Sequence, residues 1–379
     1  MSKDYGNWCP EIYRSVFIDR HNSDQISVAP CCQSSPKIEN VIDFNFNTSA
    51  HLVQLRQQFD RDERPKECIS CWQAEDLGSR SRRQGSIEFF QLPKIDRSVS
   101  LQSIDYNATW ACNLACVMCG PGFSSFWATQ KNLDKSKLSK IGRYFRNQNN
   151  FLDTLVVSDI KKIHFNGGEP LLNNDHLDML VKLEQQDILK NTEISYNTNG
   201  TIMPNKKTID LWSKTRLVKI YFSIDAVGPA FEYIRWPGLW RQTCKNMLDM
   251  KNDLPGNVMF GFNLTVGCYN LFEIEDVWNW FDQNISTNRD GDASEFSWQL
   301  TKSEHRFDLK YLNLDIKNLA INQLKPIPAL SGIVAYLESM TEHQEGLNWI
   351  RYLEELDSTR GTDWTASLKI AKYMKEKSC

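Results

Sequence analysis

The sequence predicts an α/β protein built on a parallel sheet, and two observations carry that prediction. From about residue 96 onward, stretches rich in β-branched and aromatic residues alternate with stretches of helical periodicity, and the chemically distinctive polar residues fall where the strands end. The expected strands are Ser100–Ala108, Lys162–Phe165, Glu193–Thr198, Val218–Ile224, Val258–Val266 and Glu295–Leu300. Between them lie candidate helices Phe151–Asp159, His176–Gln185, Lys207–Thr215, Trp240–Leu254 and Phe272–Gln283. Such alternation implies right-handed crossovers between parallel strands, in an open sheet or an incomplete barrel whose working edge lies at the carboxyl ends of the strands.

Three regions are expected: 1–95, 96–302 and 303–379. The first reads as a loop-rich, cysteine-rich unit with one persuasive helix around His51–Phe59 and a core too thin to stand without a metal or other cross-link. The last carries amphipathic segments, Ile333–Met340 and Leu347–Leu356, and reads as a helical extension.

Composition narrows the function classes. In 379 residues, 41% are hydrophobic and 24% charged, an ordinary globular balance that excludes disordered and fibrous classes. A net charge of −3 with dispersed Lys and Arg gives no general attraction to nucleic acid. No apolar run approaches the roughly 20 residues of a membrane span, and the N-terminus MSKDYGNWCP lacks signal-peptide order, so a cytoplasmic protein is expected. Eleven cysteines are many for a reducing compartment, where they serve metals or catalysis more often than disulfides. Cys9, Cys31, Cys32, Cys68, Cys71, Cys112, Cys116 and Cys119 crowd the first third, while Cys244, Cys268 and Cys379 are isolated.

The first strand is followed by a C-x3-C-x2-C loop, Cys112, Cys116 and Cys119. Spacing this tight wraps thiolates around one centre, and three thiolates on an iron–sulfur cubane leave one iron open to a small molecule. A zinc site with a fourth ligand from elsewhere is the alternative. The second strand ends in Asn166-Gly167-Gly168-Glu169-Pro170, where glycines permit close backbone approach and the carboxylate accepts from a cation. Asn197 and Asn199 close the third strand, and Ser223 and Asp225 the fourth; these groups suit a ribose and an amino-acid head, or, more plainly, a turn and a helix cap. Arg235 could pair with a carboxylate, and Asn263 and Thr265 on the fifth strand could reach the same place.

With these motifs, residues 99–301 resemble the radical SAM superfamily. The resemblance implies a partial (β/α)6 barrel and a [4Fe–4S] cluster on Cys112, Cys116 and Cys119 that cleaves S-adenosylmethionine to a 5′-deoxyadenosyl radical. It implies that Gly167, Gly168 and Glu169 take the methionine amino group, that Asn197, Asn199, Ser223, Asp225 and Arg235 line the cofactor pocket, and that Met118 stands where an aromatic residue usually meets the adenine. An electron donor such as flavodoxin or ferredoxin is implied as partner. The stretch from Val28 to Arg83 resembles SPASM and, more closely, twitch domains, placed here before the barrel. That likeness implies a second, auxiliary [4Fe–4S] cluster on Cys9, Cys31, Cys68 and Cys71, with Cys32 as the alternative to Cys31; a structural zinc knuckle would also explain these residues. The expected reaction is hydrogen abstraction from a peptide, as in maturases, or from a small molecule such as an aminosugar or nucleoside. A non-enzymatic metal-binding scaffold is the reading from another class.

Overall fold

The computed structural model describes residues 5–20, 25–76, 80–91, 95–107, 110–130, 155–288, 291–301, 306–340 and 348–375. Nine strands occur among them: β1 (Ser15–Arg20), β2 (Gln25–Ala29), β3 (Lys37–Asn40), β4 (Ser103–Asn107), β5 (Lys162–Asn166), β6 (Glu193–Thr198), β7 (Leu217–Ser223), β8 (Val258–Val266) and β9 (Glu295–Leu300). Each expected strand is present. β4 starts at Ser103 rather than Ser100 because the Ser100 and Gln102 amides donate to Tyr13 and Arg14 carbonyls at 3.0 and 2.7 Å.

Two compact units divide the chain: residues 1–111, 132–196 and 205–219 form the first, and 112–131, 197–204 and 220–379 the second. In the first, strands run in the order β3-β2-β1-β4-β5-β6. β1 pairs antiparallel with β2, and β2 with β3, whereas β1, β4, β5 and β6 are successively parallel. The register sets Asp105, His164 and Ser195 opposite one another across β4, β5 and β6. Apolar neighbours Tyr106, Phe165 and Tyr196 take the other face and are fully buried.

Residues 5–91 depart from the loop-rich expectation. They hold β1–β3 and helices Glu11–Arg14, Ala50–Asp60, Ile69–Asp76 and Arg82–Phe90. The strands escaped notice because β3 is short and polar, and because β1 takes its parallel partner from β4, far away in sequence. Nor is the core thin: Trp8, Ile12, Tyr13, Leu55, Phe59 and Trp72 bury one another around Cys9. Ser49 caps the helix Ala50–Asp60, and Ser81 with Gln84 forms a capping box for Arg82–Phe90.

In the second unit β7 neighbours β8, and β8 pairs parallel with β9. Phe222, Phe260, Phe262 and Phe281 make its aromatic core, with Trp280 stacked on Phe262. The expected helices appear as Asp175–Gln185, Lys206–Ser213, Trp240–Asp253 and Ile274–Asn284, each within a few residues of its sequence limits. Phe151–Asp159 does not hold: 151–154 lie outside the described residues, and 155–159 are not helical. Both C-terminal segments are helical, as Ser331–Ser339 and Asn348–Arg360. No helix among the described residues is long and apolar enough to cross a membrane.

Candidate active site

The three-cysteine loop belongs to the second unit, and much of its backbone is held by hydrogen bonds within that unit. Ala115 N donates to Trp236 O and Val117 N to Ile234 O, both at 2.7 Å, so the loop lies along the segment after Gly228–Ile234 like an added strand. Ser124 Oγ donates to Leu114 O at 2.6 Å, Trp127 Nε1 to Cys116 O at 2.8 Å, and Ser125 Oγ accepts from Cys112 N at 3.1 Å. With backbone polarity spent this way, the thiols are the loop's available chemistry. Cys116 is buried, and Cys112 and Cys119 are half-buried.

Burial pushes the Cys119 thiol up to about 11 and Cys116 higher still, with neighbouring thiols of the same trio adding to each rise. Thiols so placed give up their protons when a metal replaces them, which suits a thiolate-ligated cluster. Beside Cys116, Arg235 Nη1 lies 4.0 Å from the sulfur, and Arg235 Nη2 pairs with Asp225 at 2.7 Å. Burial works against the Arg235 cation, but Asp225 and Cys116 outweigh it and hold its pKa above the ordinary value. Asp225 receives the Thr265 amide at 2.8 Å. Its carboxylate therefore does not cap a helix, and Arg235 is a buried ion-pair partner rather than a surface group.

Asn199 Nδ2 reaches Cys112 Sγ at 4.0 Å and Asn113 Oδ1 at 3.0 Å, while its Oδ1 accepts from Thr201 N at 2.9 Å. Gly200, at φ +74, makes the turn that lets this happen. Asn197 Oδ1 accepts from Asn263 Nδ2 at 3.5 Å. Met118 and Ser223 are half-buried in the same unit.

Gly167, Gly168 and Glu169 belong to the first unit, after β5. A Cβ on Gly168 would stand 2.2 Å from Ala111 O, and Glu169 N donates to that same oxygen at 2.7 Å. The glycine thus permits the end of β5 to press against the residue preceding Cys112. Glu169 is fully buried and its Oε1 accepts from Leu171 N at 3.1 Å.

A second thiol cluster also lies in the first unit. Cys9, Cys31, Cys68 and Cys71 line one small cavity with Glu11, Gln33, Ser34 and Arg82. Burial raises all four thiols, Cys68 to about 12. Cys32 instead accepts from Arg82 Nη1 at 3.3 Å; the same guanidinium pairs with Glu11 at 3.2 Å and Asp105 at 3.0 Å. Among the described residues no group of three or more His, Cys, Asp or Glu is drawn up as the ligand set of a single metal ion. Cys268 is buried and Cys244 half-buried, as expected of small core residues, and Cys379 lies outside the described residues.

Residues 106–277 match the model of the Radical SAM superfamily. Those residues form a radical SAM domain and the protein is an enzyme; the domain implies a [4Fe–4S] cluster and S-adenosylmethionine. Its relatives include the GTP 3′,8-cyclase of Sulfurimonas denitrificans, 24% identical over 260 residues, 68% of this chain and 71% of that protein. The GTP 3′,8-cyclase of Aliarcobacter butzleri is 30% identical over 130 residues, 34% of this chain and 36% of that protein. Against most of these relatives the chain spans about a third of their length. Among solved structures, anSMEcpe with bound AdoMet shares 17% identity over 66% of this chain and 64% of that one, with a TM-score of 0.38. SuiB of Streptococcus suis bound to S-adenosylmethionine shares 12% over 90% and 74%, with a TM-score of 0.37.

Proposed function

We propose that Cys112, Cys116 and Cys119 hold the [4Fe–4S] cluster and that the chain uses it to abstract hydrogen from an organic substrate. The observation that carries this reading is one loop pinned by backbone hydrogen bonds within its own unit, with three neighbouring thiols beside the Arg235–Asp225 pair. When bound, the cluster and S-adenosylmethionine supply a 5′-deoxyadenosyl radical. Gly167, Gly168 and Glu169 receive the cofactor's amino end; Asn197, Asn199, Ser223 and Met118 line its ribose and adenine side. Asp225 and Arg235, locked to each other, steady Cys116 and present charge to the carboxylate side.

Residues 1–95 act as an auxiliary-cluster module through Cys9, Cys31, Cys68 and Cys71; their shared cavity supports Cys31 over Cys32 as ligand. Residues 96–302 are the catalytic barrel and 303–379 its helical extension. The substrate reading is a peptide, as the twitch-like cysteine pattern favours. A nucleotide-type small molecule is the second reading, favoured by relatives named GTP 3′,8-cyclase.

The test is 5′-deoxyadenosine release by the anaerobically reconstituted chain with S-adenosylmethionine and a strong reductant, beside a Cys112/Cys116/Cys119→Ala triple variant. Wild type should release it, and the variant should not while keeping roughly four irons. Release by neither, with zinc in place of iron, would overturn the enzyme chemistry in favour of a scaffold.

A further inference from the structure

The helix Asn348–Arg360 ends on the cysteine loop. Arg360 Nη2 donates to Ala115 O at 2.7 Å, the carbonyl immediately before Cys116. Its guanidinium lies over the rings of Trp127 and Trp236, 4.9 and 5.1 Å from their centroids. Both indole residues are tied to the same loop, Trp127 through Cys116 O and Trp236 through Ala115 N. Nε and Nη1 of Arg360 are buried with no hydrogen-bond partner, as befits a planar cation held by ring faces.

Its charge also lacks a direct ion-pair partner: Arg235 has Asp225, but among the described residues Arg360 makes no ion pair. Asp357, one turn back, accepts from Thr362 Oγ1 at 2.7 Å and Trp364 N at 2.8 Å; burial works against the Arg360 cation, and the Asp357 charge supports it without touching it. A cation held beside thiolate ligands favours the cluster state carrying one more electron, because reduction potential follows local charge and the hydrogen bonding around the ligands. The loop therefore has a clamp and a counter-charge in one side chain.

We propose that Arg360 is a positioning residue that fixes the cysteine loop through Ala115 and the two indoles, and that its cation raises the reduction potential of the cluster held there. The inference rests on the reading that Cys112, Cys116 and Cys119 hold that cluster.

The experiment is an anaerobic redox titration of the full-length reconstituted chain by electron paramagnetic resonance, following the signal that S-adenosylmethionine perturbs. Wild type is compared with Arg360→Gln, Arg360→Lys and the exposed-site control Arg351→Gln. At a fixed potential, Arg360→Gln should show about a tenfold lower ratio of reduced to oxidised cluster, which for a one-electron couple is about 59 mV. Arg360→Lys and Arg351→Gln should stay near wild type. Should glutamine strip the iron, Arg360→Met, which keeps bulk between the indoles, takes its place. A charge-free variant that titrates with wild type overturns this inference alone, as does a lysine variant that falls with the glutamine one. A wild-type chain with no such signal overturns the cluster reading and this inference with it.

Discussion

At Gly168 the backbone leaves no room for a side chain, since the nearest atoms are the carbonyl of Ala111 and not a flexible tip. Gly168→Ala must push the end of β5 away from the residue before Cys112, at a cost of about 1–3 kcal/mol. The expected result is a lowered denaturant midpoint together with loss of 5′-deoxyadenosine release; an alanine variant as stable and active as wild type would show that the close approach is unimportant. Residues of this kind were legible in the sequence because their chemistry is local: the spacing of Cys112, Cys116 and Cys119 and the run Gly167-Gly168-Glu169 each declare themselves within a few positions. The Asp225–Arg235 pair was half legible, each residue noted but not the bond between them. Arg360 was not legible at all, because an arginine at a helix end usually has no partner beyond solvent and the dipole.

Elements were read best where a strand's two faces differ. β5 and β7 alternate buried and half-buried positions along their length, which is the period a sequence reveals. β1 to β3 gave too short a pattern, and their placement depends on pairing with β4. The helix Asp175–Gln185 shows what its packing face costs. His176 is buried against Phe165 and Tyr196, with Nδ1 3.2 Å from the Tyr196 hydroxyl, and burial lowers its pKa from 6.5 to about 4. The unfolded chain therefore binds a proton between pH 6.5 and 4 that the folded chain refuses, so stability is full above 6.5 and falls as pH drops through that window. At 1.36 kcal/mol per pKa unit the loss is about 3 kcal/mol. In His176→Phe the thermal midpoint should fall less between pH 7 and 4.5 than in wild type. Parallel curves would mean that other groups govern the acid limb.

At the scale of the molecule, the clearest question is how many metal centres the chain holds. Four thiols around one cavity in the first unit and three in one loop of the second predict two separable centres. Cys68→Ser/Cys71→Ser should lose about half the iron of the reconstituted wild type while the cysteine loop still gives its S-adenosylmethionine-sensitive signal. Unchanged iron would remove the auxiliary centre; zinc lost in place of iron would make it a structural knuckle. The cysteine-rich composition pointed to the first centre, but not to the aromatic core around Cys9 or to the Arg82 hub joining Glu11, Asp105 and Cys32, because those contacts join residues 50 or more positions apart or depend on β4.

The Arg360 bond to Ala115 closes a separation of 245 residues. A chain still emerging from the ribosome therefore owns its cysteine loop long before it owns the residue that clamps it. Cluster delivery to a nascent chain would meet an unfastened loop, and a chain cut short before Arg360 would keep its three loop cysteines yet lack the fastening. The fastening of the cysteine loop thus waits on synthesis of the chain through Arg360.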